Sequence, residues 1–366
     1  MIGDIVKPNG LAETMAEQDN KIAEHEKQHH EVITPNDTLE VQLFKSSIGD
    51  AQQALESNSI PLFLVDRKFS TKLPSGSKQN MLNSYEVGPS KIEVKYQAAT
   101  ISDAKGNEST YYPSVNERVL IRTILKMCSQ RKAKLIKNSN GTFDVIFRKN
   151  QVLKELRLRN KTRKVTDLNR YIKVCESSVV EVSVTDSVSN KVTSNKGTLL
   201  QNVSKIEHSD PNKDGLIRAQ LHPIISRDIL KGAYRQLEDK FLQSNKTEST
   251  LYDTVINLLR TTYLNATAKP LTVPLPYSIL ASKIFFANGN IESISISTQR
   301  RRLNDVRKLM LENKVINDVA DMTWTVINAD DYQVTIITSL EWGQSQRRAN
   351  AIYKTNQQKR NDLMLD

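Results

Sequence analysis

Cysteine is almost missing from this chain. Cys128 and Cys175 are the only two in 366 residues. They lie far apart, each inside an apolar helical pattern, so they build neither a disulfide framework nor a thiolate metal site, and a reducing cytosol suits the protein best. Long apolar runs are missing too. No stretch approaches the roughly 18 uncharged residues that a membrane span requires. The opening MIGDIVKPNGLAETMAEQ lacks the apolar centre of a signal peptide. A cytoplasmic protein with no membrane partner is expected.

Signatures of catalysis are equally scarce. No GxxxxGK[ST] phosphate loop occurs, so the chain is not expected to hydrolyse ATP. No His-x-His pair accompanies the tyrosines, which removes a metal-assisted nicking site. Asp210-Pro-Asn-Lys-Asp-Gly215 imitates the start of a calcium-binding loop, but Leu221 stands where its twelfth position needs a bidentate Glu. His25, His29 and His30 can share a helical face, yet no further ligand accompanies them. The acidic pairs are scattered. The expectation is no enzyme, no metal and no cofactor.

What is present is positive charge, unevenly placed. Lys and Arg number 52 against 41 Asp and Glu, a formal net charge of +11. Residues 1–60 hold 4 basic and 11 acidic side chains, whereas residues 114–175 hold 17 basic and 4 acidic ones. That concentration exceeds what solubility requires and points to an anionic partner.

Residues 1–58 read as an acidic, largely mobile arm, with a short helix plausible between Thr38 and Leu55. From residue 59 to about Pro113 the chain is rich in Ser, Gly, Asn and Pro, as loops between short strands would be. Order begins with Ser114-Val-Asn-Glu117, a capping-box pattern. The helix behind it has Val119, Leu120, Ile121, Ile124, Leu125, Met127 and Cys128 on its packing side, and Arg118, Arg122 and Lys126 are expected outside. A turn at Asn138–Gly141, a strand over 142–147, a short helix over 150–158 and a basic turn over 159–164 follow. A helix capped by Thr166 then runs to about Glu176, and two strands, Val179–Val184 and Thr198–Val203, are expected to pair.

Helix, strand, helix, turn, helix, hairpin is the order of a winged helix-turn-helix, which offers its second helix to the DNA major groove. The order recurs. Thr250 caps a helix to about Asn265, Leu271–Leu275 forms a strand, and Pro276 starts a helix reaching Phe286. Ser297 or Thr298 caps a helix to Glu312, and Val315–Val319 with Trp324–Ile327 make the hairpin. A strand from Val334 and a basic helix, about Gln344–Lys359, end the pattern. The fold class expected is α+β: two tandem winged-helix domains, residues 59–240 and 247–355, after an irregular N-terminal extension and before a 356–366 tail.

In the second domain, Leu303, Val306 and Met310 fall on one helical stripe, with Arg301, Asn304, Asp305 and Lys308 opposite and Arg300 and Arg302 flanking the first turn. Arg pairs bidentately with guanine and Asn with adenine, which makes Arg301 and Asn304 the candidate base readers. In the first domain Leu168, Tyr171, Ile172 and Cys175 point inward, while Asn169, Arg170 and Lys173 point outward. Lys161, Arg163 and Lys164 in the turn, and Lys191 and Lys196 in the wing, would add phosphate contacts.

From Tyr112 to about residue 355 the chain resembles the tandem winged-helix replication initiators of theta-replicating, iteron-containing plasmids. The resemblance rests on FRKNQVLKELRL, TDLNRYIKVCESSVVEVSV and LIRAQLHPIISRDILKGAYRQLED in the first half, and on LYDTVINLLRTTYL, LTVPLPYSIL and STQRRRLNDVRKLMLENKVI in the second. It implies binding of directly repeated double-stranded DNA sites at a plasmid origin and help in melting an adjacent AT-rich region. It also implies recruitment of host replication proteins such as an initiator and a helicase. Dimerisation through the first domain, repression of the chain's own promoter and copy control belong to the same expectation. A winged-helix transcriptional repressor without an origin-opening role is the alternative, and a protein-binding adaptor the third reading.

Overall fold

The computed structural model describes residues 37–45, 51–55, 62–64, 80–87, 90–103, 105–158, 164–186, 188–206, 215–241, 250–262, 270–276, 296–328 and 331–362. The fold is of the α+β class. Its first elements are α1 (Leu39–Phe44), β1 (Ala51–Leu55), β2 (Asn80–Val87), β3 (Ser90–Gln97), β4 (Ala99–Ser102), β5 (Glu108–Tyr111) and α2 (Val115–Ser129). Then come β6 (Lys134–Lys137), β7 (Phe143–Arg148), α3 (Lys149–Leu158), α4 (Val165–Ser177), β8 (Val179–Asp186) and β9 (Val192–Thr198). β10 (Leu200–Ile206), β11 (Leu216–Leu221), α5 (Pro223–Lys231) and β12 (Tyr234–Glu238) complete the first half. The second half holds α6 (Thr250–Thr262), β13 (Thr272–Pro276), α7 (Ile296–Glu312), β14 (Met322–Asn328), β15 (Asp331–Ile337) and α8 (Leu340–Asp362).

The start of the packed body differs from expectation. Val41, Phe44, Ala51 and Leu55 are buried, so residues 39–44 and 51–55 belong to the fold and not to an acidic arm ending at 58. Their pattern was faint for a physical reason. A six-residue helix shows under two turns of periodicity, and AQQAL becomes a strand only by pairing with β12, Ala51 opposite Glu238 and Leu55 opposite Tyr234. Within the 60–112 lead-in, the described residues from Asn80 to Tyr111 form four strands, β2 to β5, where composition implied loops. β3 alternates, with Ile92, Val94 and Tyr96 turned into the core.

Two four-stranded sheets shape the first half, in the orders β10-β11-β7-β6 and β2-β3-β8-β9. This corrects the expected wing. Val179–Val184 does not pair with Thr198–Val203; β8 pairs with β9, Val180 opposite Gly197, while β10 pairs with β11 in the other sheet. Between those two expected strands lies β9, an edge strand whose exposed side chains carry no apolar alternation because only its backbone needs a partner. Asp186 sets the turn, its Oδ1 accepting from the Val188 and Ser189 amides at 2.8 and 3.0 Å, and Asn190 takes a left-handed φ of 51°.

Helix starts follow local chemistry. Glu117 reaches back to accept from the Ser114 amide and hydroxyl at 2.8 and 2.7 Å, the expected capping box. α4 begins one residue before Thr166, which therefore lies in its first turn and not at the cap. At α5 the cap is His222, fully buried: the Ile224 amide donates to its Nδ1 at 3.3 Å and its Nε2 donates to the Val180 carbonyl at 3.2 Å. Both contacts suit the neutral ring, and burial pushes its pKa down to about 4.

In the second half, Leu251, Tyr252, Val255, Ile256 and Leu259 of α6 pack against Leu303, Val306, Leu309 and Met310 of α7 and against Val334 and Ile336 of β15. The sheet order is β13-β15-β14. Here too the expected hairpin moves. Val315 and Ile316 are not a strand but the apolar plug after α7: Lys314 turns left-handed at φ 56°, and the Val315 amide donates to the Met310 carbonyl at 2.8 Å. The hairpin is β14 with β15, Trp324 opposite Val334. α7 starts at Ile296, so Ser297 and Thr298 sit in its first turn. Pro276, expected to start a helix, is instead the last residue of β13, opposite Gln333; residues 277–286 and 210–214 lie outside the described residues.

The halves meet in one compact unit, Leu39–Asp366. β1 and β12 form the ribbon between them, with Leu55 and Tyr234 in the first core and Ala54 and Leu237 in the second. Here the outward placement expected for three α2 cations is overturned. Lys126 is buried and ion-paired with Asp239 at 2.6 Å, while Arg118 and Arg122 both reach Asp253 of α6 at 3.0 and 2.8 Å. Burial lowers the Arg118 pKa to about 10 against the pull of Asp253. The apolar stripe of α2 predicted a solvated far side; the second half covers it instead. α8 then returns across the seam. Asn350 accepts from Arg235 at 2.7 Å, and Gln357 and Arg360 donate to the carbonyls of Gly232 and Leu230 at the α5 C-terminus, at 3.2 and 2.6 Å. The expected 356–366 tail is therefore in part the last turns of a packed helix.

Candidate nucleic-acid interface

α7 presents one polar face. With its apolar stripe turned to the core, Arg300, Arg301, Asn304, Asp305 and Lys308 are exposed. Arg302 is not with them. It precedes Val306 by four residues and Leu309 by seven, close to whole turns, so it lies on the packing side; it is half-buried and its Nη1 is enclosed. The triple arginine of the sequence is thus split by the helical period.

Two contacts tie this face to the hairpin. Arg300 donates from Nε to the Tyr332 hydroxyl of β15 at 2.9 Å. Arg307, which sequence reasoning passed over, donates from Nη2 to Asn304 Oδ1 at 2.7 Å, and its guanidinium lies 4.7 Å from the Trp324 ring centroid of β14. The available signal was an Arg three residues after a candidate reader. Among the described residues neither Arg301 nor Lys308 is in an ion pair.

The first-half face is differently occupied. On α4, Leu168, Tyr171, Ile172 and Cys175 are buried as expected, and Asn169 and Lys173 are exposed. Burial drives the thiol of Cys175 well above the usual cysteine range and that of Cys128 up to about 12, so neither is a ready nucleophile. Arg170 is held by Asp167 at 3.3 Å and stands over the Tyr111 and Tyr171 rings, 5.6 and 5.2 Å from their centroids. Lys173 bridges to Glu176 at 3.0 Å. Lys164 is exposed at the α4 cap; Lys161 and Arg163 lie outside the described residues. Lys191 is exposed at the β8–β9 turn. Lys196 is exposed on β9 opposite Glu181, in a cleft it shares with Lys95 and Tyr96.

Among the described residues no three His, Cys, Asp or Glu side chains gather as a metal site would need, and no helix is long and apolar enough to cross a membrane. His25, His29 and His30 lie outside them.

No protein-family model matches the chain, and no curated protein does. Two solved structures resemble it, both crystal structures of domains 2 and 3 of RctB, one of them from selenomethionine derivatives. Sequence identity is 14 % in each case, with TM-scores of 0.41 and 0.42. The likeness covers 74 % and 79 % of this chain and 95 % and 99 % of those chains.

Proposed function

We propose that this protein is a non-enzymatic, sequence-specific double-stranded DNA-binding protein whose second half reads bases through α7. The observation that carries the proposal is the exposed Arg301–Asn304–Lys308 stripe of α7, with Arg301 and Lys308 in no ion pair among the described residues and the helix braced on a hairpin. The order α6, β13, α7, β14, β15 and the sheet order β13-β15-β14 support reading this half as a winged helix. The first half, with most of its α4 cations already matched by carboxylates, adds phosphate contacts through Lys164 and Lys191. A replication initiator acting on repeated origin sites, with host replication proteins and a second copy of the chain as partners, is the setting that the sequence resemblance implies.

Arg301→Ala is expected to weaken binding to a selected duplex by about 1–3 kcal/mol while sparing random duplexes. Equal loss on both would remove Arg301 from the readers. A second reading, a protein-binding hairpin, draws on Val326 and Ile327, which are 59 % and 51 % exposed on β14. It is favoured if duplex binding is weak and indifferent to sequence.

A further inference from the structure

On the α7 face, Asn304, Arg307 and Trp324 form a relay that the reader assignment leaves unused. Arginine carries no acceptor, so the Asn304 atom facing Arg307 Nη2 at 2.7 Å is the carbonyl oxygen, and the amide nitrogen with its two donors faces the other way. The guanidinium is held in turn. It lies 4.7 Å from the Trp324 ring centroid, and Trp324 is fixed by its register opposite Val334 and by packing against the second core.

Bidentate recognition of adenine needs the Asn carbonyl to accept from the N6 amino group while the amide donates to N7. Arg307 takes the accepting end and sets a positive charge beside it, which opposes a second N–H donor. Guanine offers acceptors at both N7 and O6. We propose, resting on the base-reading role given to α7 above, that Arg307 braced on Trp324 is a specificity-determining residue. It makes Asn304 a donor-only reader and turns its preference from adenine to guanine.

The test is selection of bound sequences from duplexes with a randomised core, using the full chain and its Asn304→Ala, Arg307→Ala and Trp324→Phe variants. The unaltered protein is expected to enrich guanine at one pair, and Asn304→Ala to lose that discrimination by about tenfold or more. Arg307→Ala, a change near the surface, is expected to move the preference at the same pair towards adenine, and Trp324→Phe, which keeps a ring, to retain guanine. Unchanged guanine preference in Arg307→Ala overturns the relay, as does a uniform loss of affinity across all sequences, which marks a phosphate contact. An unaltered protein that enriches nothing overturns the DNA-reading role itself, and the relay with it.

Discussion

α4 and α7 each stand ahead of a hairpin, yet their polar faces are wired differently. On α4 the cations meet acids of their own helix: Arg170 meets Asp167 and Lys173 meets Glu176. On α7, Arg300 and Arg307 meet neutral partners from the hairpin, Tyr332 and Trp324, and among the described residues Arg301 and Lys308 are in no ion pair. A carboxylate neighbour cancels the field that attracts phosphate, whereas an aromatic ring orients a guanidinium and leaves its charge in place. α4, with Arg170 and Lys173 against Asp167 and Glu176, is thus close to neutral, whereas α7 sets four Arg and Lys308 against Asp305 and Glu312 and is poised for an anion.

The largest effect expected lies at the seam that holds the two faces in one body. Asp239→Ala takes the 2.6 Å acid partner from buried Lys126, leaving Glu155 at 3.9 Å, and should cost about 3–5 kcal/mol in denaturant unfolding. A cost under about 1 kcal/mol would mean that the Lys126–Asp239 pair adds little to what the Asp253 ion pairs, the β1–β12 ribbon and α8 already hold.

A pH titration of stability separates the halves next. His222 belongs to the first, with a folded pKa near 4 against an ordinary 6.5. The unfolded chain takes up the proton first, so this residue's contribution is complete above 6.5 and lost as pH falls towards 4, on the order of 3 kcal/mol in all. His222→Asn keeps a capping acceptor but removes the titration, and should flatten that part of the profile. Equal slopes in the two proteins would show that the ring is already protonated or exposed.

The smallest effect expected bears most directly on the faces. Lys308→Ala should lower the slope of log affinity against log salt by about one unit, and Lys164→Ala likewise, whereas Lys173→Ala should change it by much less because Glu176 already neutralises it. Equal changes at Lys308 and Lys173 would erase the distinction between the two helices.

Which parts of this were legible in the sequence follows from range. The packing stripes of α2, α4 and α7, the Ser114–Glu117 cap and the Asn138–Gly141 turn are local patterns, and their residues announced them. β9 escaped because an edge strand needs no apolar side chains, and Val315 and Ile316 misled because a helix plug and a short strand share one composition. Long-range partnership was invisible. Nothing near Arg118 or Lys126 foretells Asp253 or Asp239, more than a hundred positions away, so cations destined for an interior looked like surface. At the candidate interface Arg301, Asn304 and Lys308 were found by periodicity alone, while Arg307 and Trp324 matter only together and only across the strand.

The reach of α8 back to α5 bears on how the chain is made. During synthesis the carbonyls of Leu230 and Gly232 emerge long before Gln357 and Arg360 exist to cover them. The α5 end of the first half can therefore settle only once the second half has been translated, and nascent chains halted short of Gln357 should show enhanced amide exchange there.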